Sequence, residues 1–434
     1  MTATKHTYGR PLPSASYRLG RPIAPKKTPK PGTLSRVAFA FLWLFVFTMP
    51  WENIVVVPGV GTVGRLVGLL AFGVGLLGVV DQHRLRRLTA AHVWLALFAI
   101  WGGFTCLWSS SLERTQVLAL TYVQLVAMIW MFRQLASTEY RRRHLMSAYV
   151  MGSYVSAIAT YLAYHSGTMS SYNRYSAQGF NPGDLALILV LSVPFGLYLA
   201  ATEKGKLLVW IYRIHCGVVL TAILLTAARG ALIATFVAML MIPLSVRTWS
   251  LGQKVAIGFM GLTALVLILS IVPATSWKRL GTINSEIKEG TLNERRTIWS
   301  AGLEVFSEHP VRGIGLDAFA PVVQRRLYTP LQPGVELVAH NTFLSVLVET
   351  GVIGFSLFLA ALISLWKGVF KLEGAERVLW QVVLCVWTVG VMELTWEYRK
   401  PTWLIFGLLA AAICSAKSRQ VITHGGRTAY RSFY

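Results

Sequence analysis

Long apolar runs separated by short polar connections make up most of the chain from residue 36 onwards. A helix that crosses a bilayer needs about 17–25 mainly apolar residues, and most of the runs reach that length. The pattern predicts an all-α polytopic membrane protein with about twelve transmembrane helices and no separate soluble domain. The predicted spans lie near residues 36–50, 62–80, 91–108, 115–132, 145–164, 184–201, 207–226, 230–246, 255–272, 341–365, 378–395 and 401–416.

The runs divide the chain into five regions. A basic, proline-rich arm precedes the first span, and it holds no acidic residue before Glu52. Such a composition is typical of disordered segments, and its lysines and arginines favour contact with anionic membrane lipids. The predicted regions are an arm at 1–35, transmembrane helices one to nine at 36–272, a long loop at 273–340, helices ten to twelve at 341–416, and a tail at 417–434.

The loop of residues 273–340 contains one predicted amphipathic helix near 294–308. Arg295 and Arg296 fall in its first turn, where a positive charge opposes the helix dipole. A bound anion would offset that unfavourable position, and a solvated helix surface explains the two arginines equally well. Both interpretations stay open at this point. The apolar residues at helical spacing are Ile298, Trp299, Leu303 and Phe306.

Composition supports the membrane assignment, and the distribution of lysines and arginines along the chain explains the net charge. Hydrophobic residues make up 54% of the chain and charged residues 14%, whereas a soluble globular protein has about 25% charged residues. The net charge of +23 would suit a nucleic-acid partner, but the lysines and arginines concentrate in the arm, the tail and alternate short connections. That asymmetry is typical of cytoplasmic segments. It predicts cytoplasmic termini and an outer 273–340 loop, and it excludes nucleic acid as the reason for the charge.

One glycine pattern has the spacing of a dinucleotide fingerprint. Gly59, Gly61 and Gly64 are followed by Asp81 at about the expected distance. The fingerprint functions only within a soluble βαβ unit, whereas these glycines lead directly into a predicted membrane span. We therefore interpret them as a turn between the first two spans, and we expect no nucleotide cofactor.

Arg229 is the most unusual charge in the chain, because it lies in a minimal break between two apolar runs. A charge near membrane depth is costly unless it is paired or reaches a water-filled cavity, so a functional role is its default interpretation. A guanidinium group can grip phosphate oxygens in pairs. Arg65, Arg399 and Lys400 also lie near span ends, but snorkelling of the long side chain explains them.

His340 is the histidine of greatest chemical interest. It precedes Asn341 at the point where the long loop enters the tenth predicted span. The positive end of a helix dipole disfavours imidazolium, so a neutral ring would be available there as a base. The alternative is that His340 or Asn341 only caps the helix.

Three stretches in this order, around one long loop, resemble the O-antigen ligase and polymerase superfamily of bacterial envelope glycan enzymes. The chain departs from the family's usual Ser-Arg-Gly in having Ala228 in place of the serine, which affects only a minor hydrogen bond. The stretches are Ala228-Arg229-Gly230-Ala231; Arg295-x-x-x-Trp299 followed by Phe306, His309-Pro310 and Gly313-Ile314-Gly315-Leu316-x-x-Phe319; and His340-Asn341-x-x-Leu344 continuing to Glu349-x-Gly351-Val352-Ile353-Gly354.

The resemblance implies a membrane glycosyltransferase with a GT-C-like fold in the bacterial inner membrane. Such an enzyme moves a glycan from undecaprenyl diphosphate to an acceptor hydroxyl at the periplasmic face. Negative charge develops on the diphosphate as it leaves, and arginines can stabilise it without a metal. Arg229 and Arg295 are therefore expected to bind the diphosphate, with Arg296 as a possible helper, and no metal site is expected.

The same resemblance makes His340 the expected base for the acceptor hydroxyl in a single-displacement, inverting reaction. Asn341 and Glu349 are expected to support it. The acceptor separates the candidate functions: a ligase transfers the finished glycan to lipid A–core, and a polymerase extends another lipid-linked chain. The single long outer loop favours the ligase over an O-antigen or exopolysaccharide polymerase. A polytopic transporter or flippase is the third alternative, but it would need polar residues deep in several spans.

Overall fold

The structure of the chain is a computed structural model. It describes residues 32–59, 61–81, 85–170, 174–245, 251–252, 255, 295–327 and 336–431, with the backbone alone for residues 240–245 and 417–431. Three sequence predictions lie outside these residues: most of the basic arm, the ninth span near 255–272, and the first part of the long loop.

The prediction of an all-α polytopic protein is confirmed. Within the described ranges the regular structure consists of thirteen α-helices, two 3₁₀ helices at Met49–Trp51 and Thr105–Leu107, and one hairpin of two very short strands. The helices are α1 Thr33–Thr48, α2 Val63–Asp81, α3 Ala90–Phe104, α4 Leu112–Leu135, α5 Glu139–His165, α6 Pro182–Thr202, α7 Lys206–Leu225, α8 Arg229–Ser245, α9 Arg295–Glu308, α10 Phe319–Arg326, α11 Thr342–Val369, α12 Gly374–Val391 and α13 Lys400–Arg431, and the strands are β1 Val56–Val57 and β2 Gly61–Thr62.

Nine helical segments of the described part are long and apolar enough to cross a membrane. They correspond to the predicted spans one to seven, ten and eleven. Two shorter apolar segments, Arg229–Met239 and Lys400–Ala416, coincide with the eighth and twelfth predicted spans. The glycine-rich pattern forms the hairpin between α1 and α2, where Gly59 and Gly61 have positive φ angles. This segment is a turn, as predicted.

Helix α6 lies at the centre of the bundle, with 78% of its apolar segment buried. It packs against α5, α7 and α12. Close approach to α12 depends on Gly390, because a side chain there would overlap Leu187 of α6. Small residues permit such contacts between membrane helices, where dispersion forces replace the hydrophobic effect.

Helix α11 is broken by Gly351, whose φ of 65° and ψ of −173° are not helical. The break releases backbone groups from the helical pattern, and the segment after α9 pairs with them. Ile314 N donates to the carbonyl of Val348 at 3.2 Å, and Val352 N donates to the carbonyl of Pro310 at 2.8 Å. The two backbones touch at Gly351, where a Cβ would overlap the Val311 carbonyl. The outer segment is thus hydrogen-bonded into the interrupted helix.

The opposite end of the bundle contains a buried ion pair. The side chain of Arg142 on α5 is 1% exposed, and its Nη2 donates to Glu376 Oε1 on α12 at 2.9 Å. Its Nη1 also donates to Ser415 Oγ on α13 at 3.0 Å. One guanidinium therefore joins three helices. The neighbouring pair of Arg143 and Glu203, at 3.5 Å, is about one-quarter exposed.

We predict that Arg142→Met lowers stability much more than Arg143→Met. Removing one partner of a buried pair leaves the other charge uncompensated, at a cost of about 3–5 kcal/mol, whereas an exposed pair contributes about 0–1 kcal/mol. The measurement is the apparent melting temperature of the two variants in the same detergent. Equal melting temperatures would show that the Arg142 pair does not hold the three helices together.

Candidate active site

Four helix amino termini and one connection meet at the end of the bundle away from Arg142. The amino termini belong to α6, α8, α9 and α11, and the connection is the segment of residues 392–399 between α12 and α13. Helix amino termini present free N–H groups and the positive end of the helix dipole. Their convergence makes this end of the protein suited to an anion.

The 392–399 connection is fixed to α11 through the hydroxyl groups of Thr342 and Ser345, and Ser345 Oγ donates to Glu397 Oε1 at 2.9 Å. Thr342 Oγ1 donates to the carbonyl of Leu394 at 2.8 Å and accepts from Trp396 N at 2.8 Å. Trp396 is fully buried, and its indole Nε1 donates to Asp184 Oδ1 at 2.9 Å. Arg399 Nη2 donates to the second carboxylate oxygen of Asp184 at 2.8 Å. These bonds join α6 and α11 to the connection.

His340 lies directly before α11 in a left-handed backbone conformation, with φ of 47°. Such a conformation costs about 1–3 kcal/mol in a residue other than glycine, and it persists only where the surroundings enforce it. One restraint comes from α9, because Trp299 Nε1 donates to the carbonyl of the preceding residue, Ala339, at 2.8 Å. Trp299 of the predicted Arg295-x-x-x-Trp299 pattern therefore positions the backbone that carries His340.

Asn341 supplies the helix cap. Its side-chain oxygen accepts from Phe343 N at 3.0 Å and from Leu344 N at 3.1 Å. This is the ordinary bonding of an asparagine N-cap. Capping therefore falls to Asn341, and the His340 imidazole is not needed for it.

The His340 imidazole is held in its neutral form. Burial, then the positive charge of Arg295, lowers the pKa of His340 from 6.5 to about 4. Arg174 lowers this pKa further, and the negative charge of Asp184 partly opposes the shift. At neutral pH the ring therefore carries no charge and has a nitrogen lone pair available to accept a proton.

Arg295 and Arg229 are brought to the same region by Glu393. The Arg295 Nη1 atom lies 3.8 Å from Glu393 Oε2, and a side chain on Gly230 would overlap the Glu393 carboxylate. Glu393 thus lies against the first turn of α8, next to Arg229, which begins that helix. The turn before it is tight, with a positive φ of 46° at Ala227.

The remaining predicted residues lie around this centre. Arg296 follows Arg295 on α9, and its side chain is exposed to solvent. Glu349 is buried on α11, where its Oε1 accepts from the backbone N of Phe319 at 3.3 Å. It borders a small cavity that Ala339 also lines. The roles expected for Arg296 and Glu349 stay predictions.

Sequence reasoning missed acidic residues of this region: Asp184, Glu393 and the buried Glu397, which accepts from Ser345 Oγ. Asp184 and Glu393 were both counted within predicted spans, at 184–201 and 378–395. The structure ends α12 at Val391, so Glu393 belongs to the connection and not to a membrane helix. A carboxylate inside an apolar run was itself the available signal, because such charges mark functional sites by default. Arg399, which snorkelling seemed to explain, pairs with Asp184.

The comparisons with known proteins agree with this location. Residues 214–359 match the model of the O-antigen ligase family, and every site residue predicted from the sequence falls within that segment. Over 324 residues the chain is 23% identical to the exopolysaccharide production protein ExoQ of Rhizobium meliloti, covering 71% of this chain and 72% of that protein. The predicted resemblance is confirmed. The apolar helices indicate a multi-pass membrane protein, and the two matches make it similar to the O-antigen ligase family and to a protein of exopolysaccharide production.

We predict that Arg295→Gln raises the pKa of His340 from about 4 towards 6.5, because removing a neighbouring positive charge makes imidazolium less unfavourable. Asp184→Asn should lower the same pKa, because it removes the opposing negative charge. The measurement is the rate at which diethyl pyrocarbonate modifies His340, followed by mass spectrometry as a function of pH. Arg296→Gln is the matched control, with an expected midpoint equal to that of the unaltered protein.

Proposed function

We propose that the protein is an O-antigen ligase that transfers a glycan from undecaprenyl diphosphate to a sugar hydroxyl of lipid A–core at the periplasmic face of the inner membrane. The proposal adopts the topology predicted from the lysine and arginine asymmetry, with both termini in the cytoplasm and a GT-C-like arrangement of helices. The observation that carries it is the placement of His340 and Arg295 in one region, since α9, which begins at Arg295, holds the backbone before His340 through Trp299.

The anion-binding part of the proposed site consists of Arg229 and Arg295. Each begins a helix, and Glu393 connects the two helix starts, because it lies 3.8 Å from Arg295 Nη1 and against Gly230 of α8. A diphosphate has several oxygens for guanidinium donors, and its charge increases as the bond to the sugar breaks. Donors fixed before the reaction stabilise that developing charge most effectively. Arg296 is a further candidate, from the exposed side of α9.

The proposed chemical step is a single displacement. The acceptor hydroxyl oxygen attacks the anomeric carbon, and the hydroxyl proton moves to the His340 ring nitrogen. The bond between the anomeric carbon and the diphosphate oxygen breaks, and undecaprenyl diphosphate leaves with the electron pair. The configuration at the anomeric carbon inverts. Asn341 supports the base by fixing the start of α11, and Glu349 is proposed to support it from the adjoining buried face.

Donor binding would strengthen the base. Before the donor binds, Arg295 and Arg174 both disfavour a positive charge on His340. A bound diphosphate brings compensating negative charge, so the pKa of His340 rises towards the working pH. General bases are most effective when these two values are close. The arginines and the histidine are thus coupled, and the ring becomes a useful base when the leaving group is in place.

A polymerase is the second candidate, and the similarity to ExoQ supports it. An exopolysaccharide or O-antigen polymerase would use the same donor and the same base, with a lipid-linked glycan as the acceptor. The match to the O-antigen ligase family model and the single long outer loop support the ligase. The two functions differ only in the acceptor, so the choice is made by a transfer assay.

We predict that His340→Ala lowers kcat for glycan transfer by about 10²–10⁴-fold, the usual contribution of a general base. Donor binding should change little, because the arginines remain. His309→Ala is the matched control, since His309 belongs to the turn after α9 and should leave kcat near that of the unaltered enzyme. Near-normal transfer by His340→Ala would contradict the base assignment.

We predict that the purified enzyme transfers the glycan to lipid A–core and does not extend lipid-linked glycan when lipid A–core is absent. Activity should survive a chelator, because arginines neutralise the diphosphate in place of a metal. The products are separated by size after incubation with donor alone, donor plus acceptor, and both with chelator. Extension with donor alone would establish the polymerase, and loss of transfer on chelation would contradict the metal-independent mechanism.

A further inference from the structure

Glu393 places a carboxylate between Arg295 and the first turn of α8. Its Oε2 lies 3.8 Å from Arg295 Nη1, and its side chain is 33% exposed. The carboxylate also lies over Gly230, where a Cβ would overlap it. The absence of a side chain at Gly230 therefore leaves room for an anionic group directly against the first turn of α8.

The surroundings of this carboxylate favour any anion. The first turn of α8 presents the positive end of a helix dipole, and Arg295 supplies a guanidinium from the start of α9. These are the donors proposed above for the diphosphate. Glu393 thus occupies, with a single negative charge, a position that would suit a phosphate group with more charge and more oxygen atoms.

The ion pair between Glu393 and Arg295 is weak enough for another anion to displace the carboxylate. An ion pair that is 3.8 Å long and partly exposed contributes little, because solvent screens it. Its backbone is nevertheless fixed on both sides. Glu393 N donates to the carbonyl of Gly390 at 3.2 Å, and the adjoining residue, Leu394, is bonded to Thr342. Release of the carboxylate therefore needs only rotation of its side chain.

We propose that Glu393 is an internal occupant of the donor's diphosphate subsite. Before the donor binds, its carboxylate neutralises Arg295. The donor diphosphate displaces it, and after transfer it competes with undecaprenyl diphosphate and promotes release of that product. This inference rests on the proposed function, because it takes the diphosphate as the ligand of Arg295.

The test is the affinity of the full-length protein in detergent for inorganic pyrophosphate, measured by calorimetry. Glu393→Gln keeps the size of the side chain and removes its charge, so pyrophosphate should bind about 10-fold more tightly. Glu393→Asp keeps the charge and should bind closer to the unaltered protein. Glu304→Gln is the matched control, since Glu304 lies on α9 and pairs with Arg326. Its affinity should be unchanged.

A purely structural role for Glu393 predicts the opposite sign, because damage to the site weakens binding. Unchanged or weaker binding by Glu393→Gln would therefore overturn the inference. Arg295→Gln separates the two proposals. If Arg295→Gln binds pyrophosphate more weakly and Glu393→Gln binds it no more tightly, the diphosphate site at Arg295 is supported and the role proposed for Glu393 is contradicted. If pyrophosphate binding does not depend on Arg295, both fall.

Discussion

The hydroxyl of Thr342 connects the start of α11 to the segment between α12 and α13, donating to Leu394 and accepting from Trp396. The position of the proposed site depends on this pairing. Without it, the connection would keep the bond from Ser345 Oγ to Glu397 Oε1 but would lose the pairing of its backbone with α11, and the buried Trp396 would lose the backbone bond that holds it where its indole reaches Asp184. Backbone polar groups at membrane depth must find partners within the protein. The Thr342 hydroxyl meets that requirement for two backbone groups, because it donates to the Leu394 carbonyl and accepts from the Trp396 N–H.

The site gathers the positive ends of four helices, so its charges have to be balanced. Asp184 and Glu393 provide negative charge from the central helix and from the connection. They act on different partners: Asp184 binds Arg399 and favours imidazolium at His340, whereas Glu393 lies against Arg295. A lipid diphosphate entering this region would meet an arrangement that is already close to neutral. Its binding would exchange one anion for another, and so it would avoid bringing together unbalanced like charges.

Much of the fold and part of the site were predictable, for identifiable reasons. A span of apolar residues is a strong local signal, so the helices are found where the runs predict them. Arg229 and His340 also carry local signals, as a charge and a titratable ring at span boundaries. Contacts between distant segments have no such signal. The spacing of Leu303 predicts a core position, but its side chain is 50% exposed. Glu393 can be assigned to the site only once the structure shows that α12 ends before it.

The interrupted helix α11 has a consequence for how the chain reaches its native state during synthesis. In the second half of α11, Val352 N and Ile353 N donate to the carbonyls of Pro310 and Val311, residues that are synthesised earlier. The outer segment must therefore be docked when the Gly351 break enters the membrane. Otherwise the N–H groups after the break would face lipid without hydrogen-bond partners. Helix insertion and loop docking become one cooperative step here. Other helices can insert in the order of their synthesis, whereas the complete insertion of α11 depends on the docking of a segment that was synthesised before it.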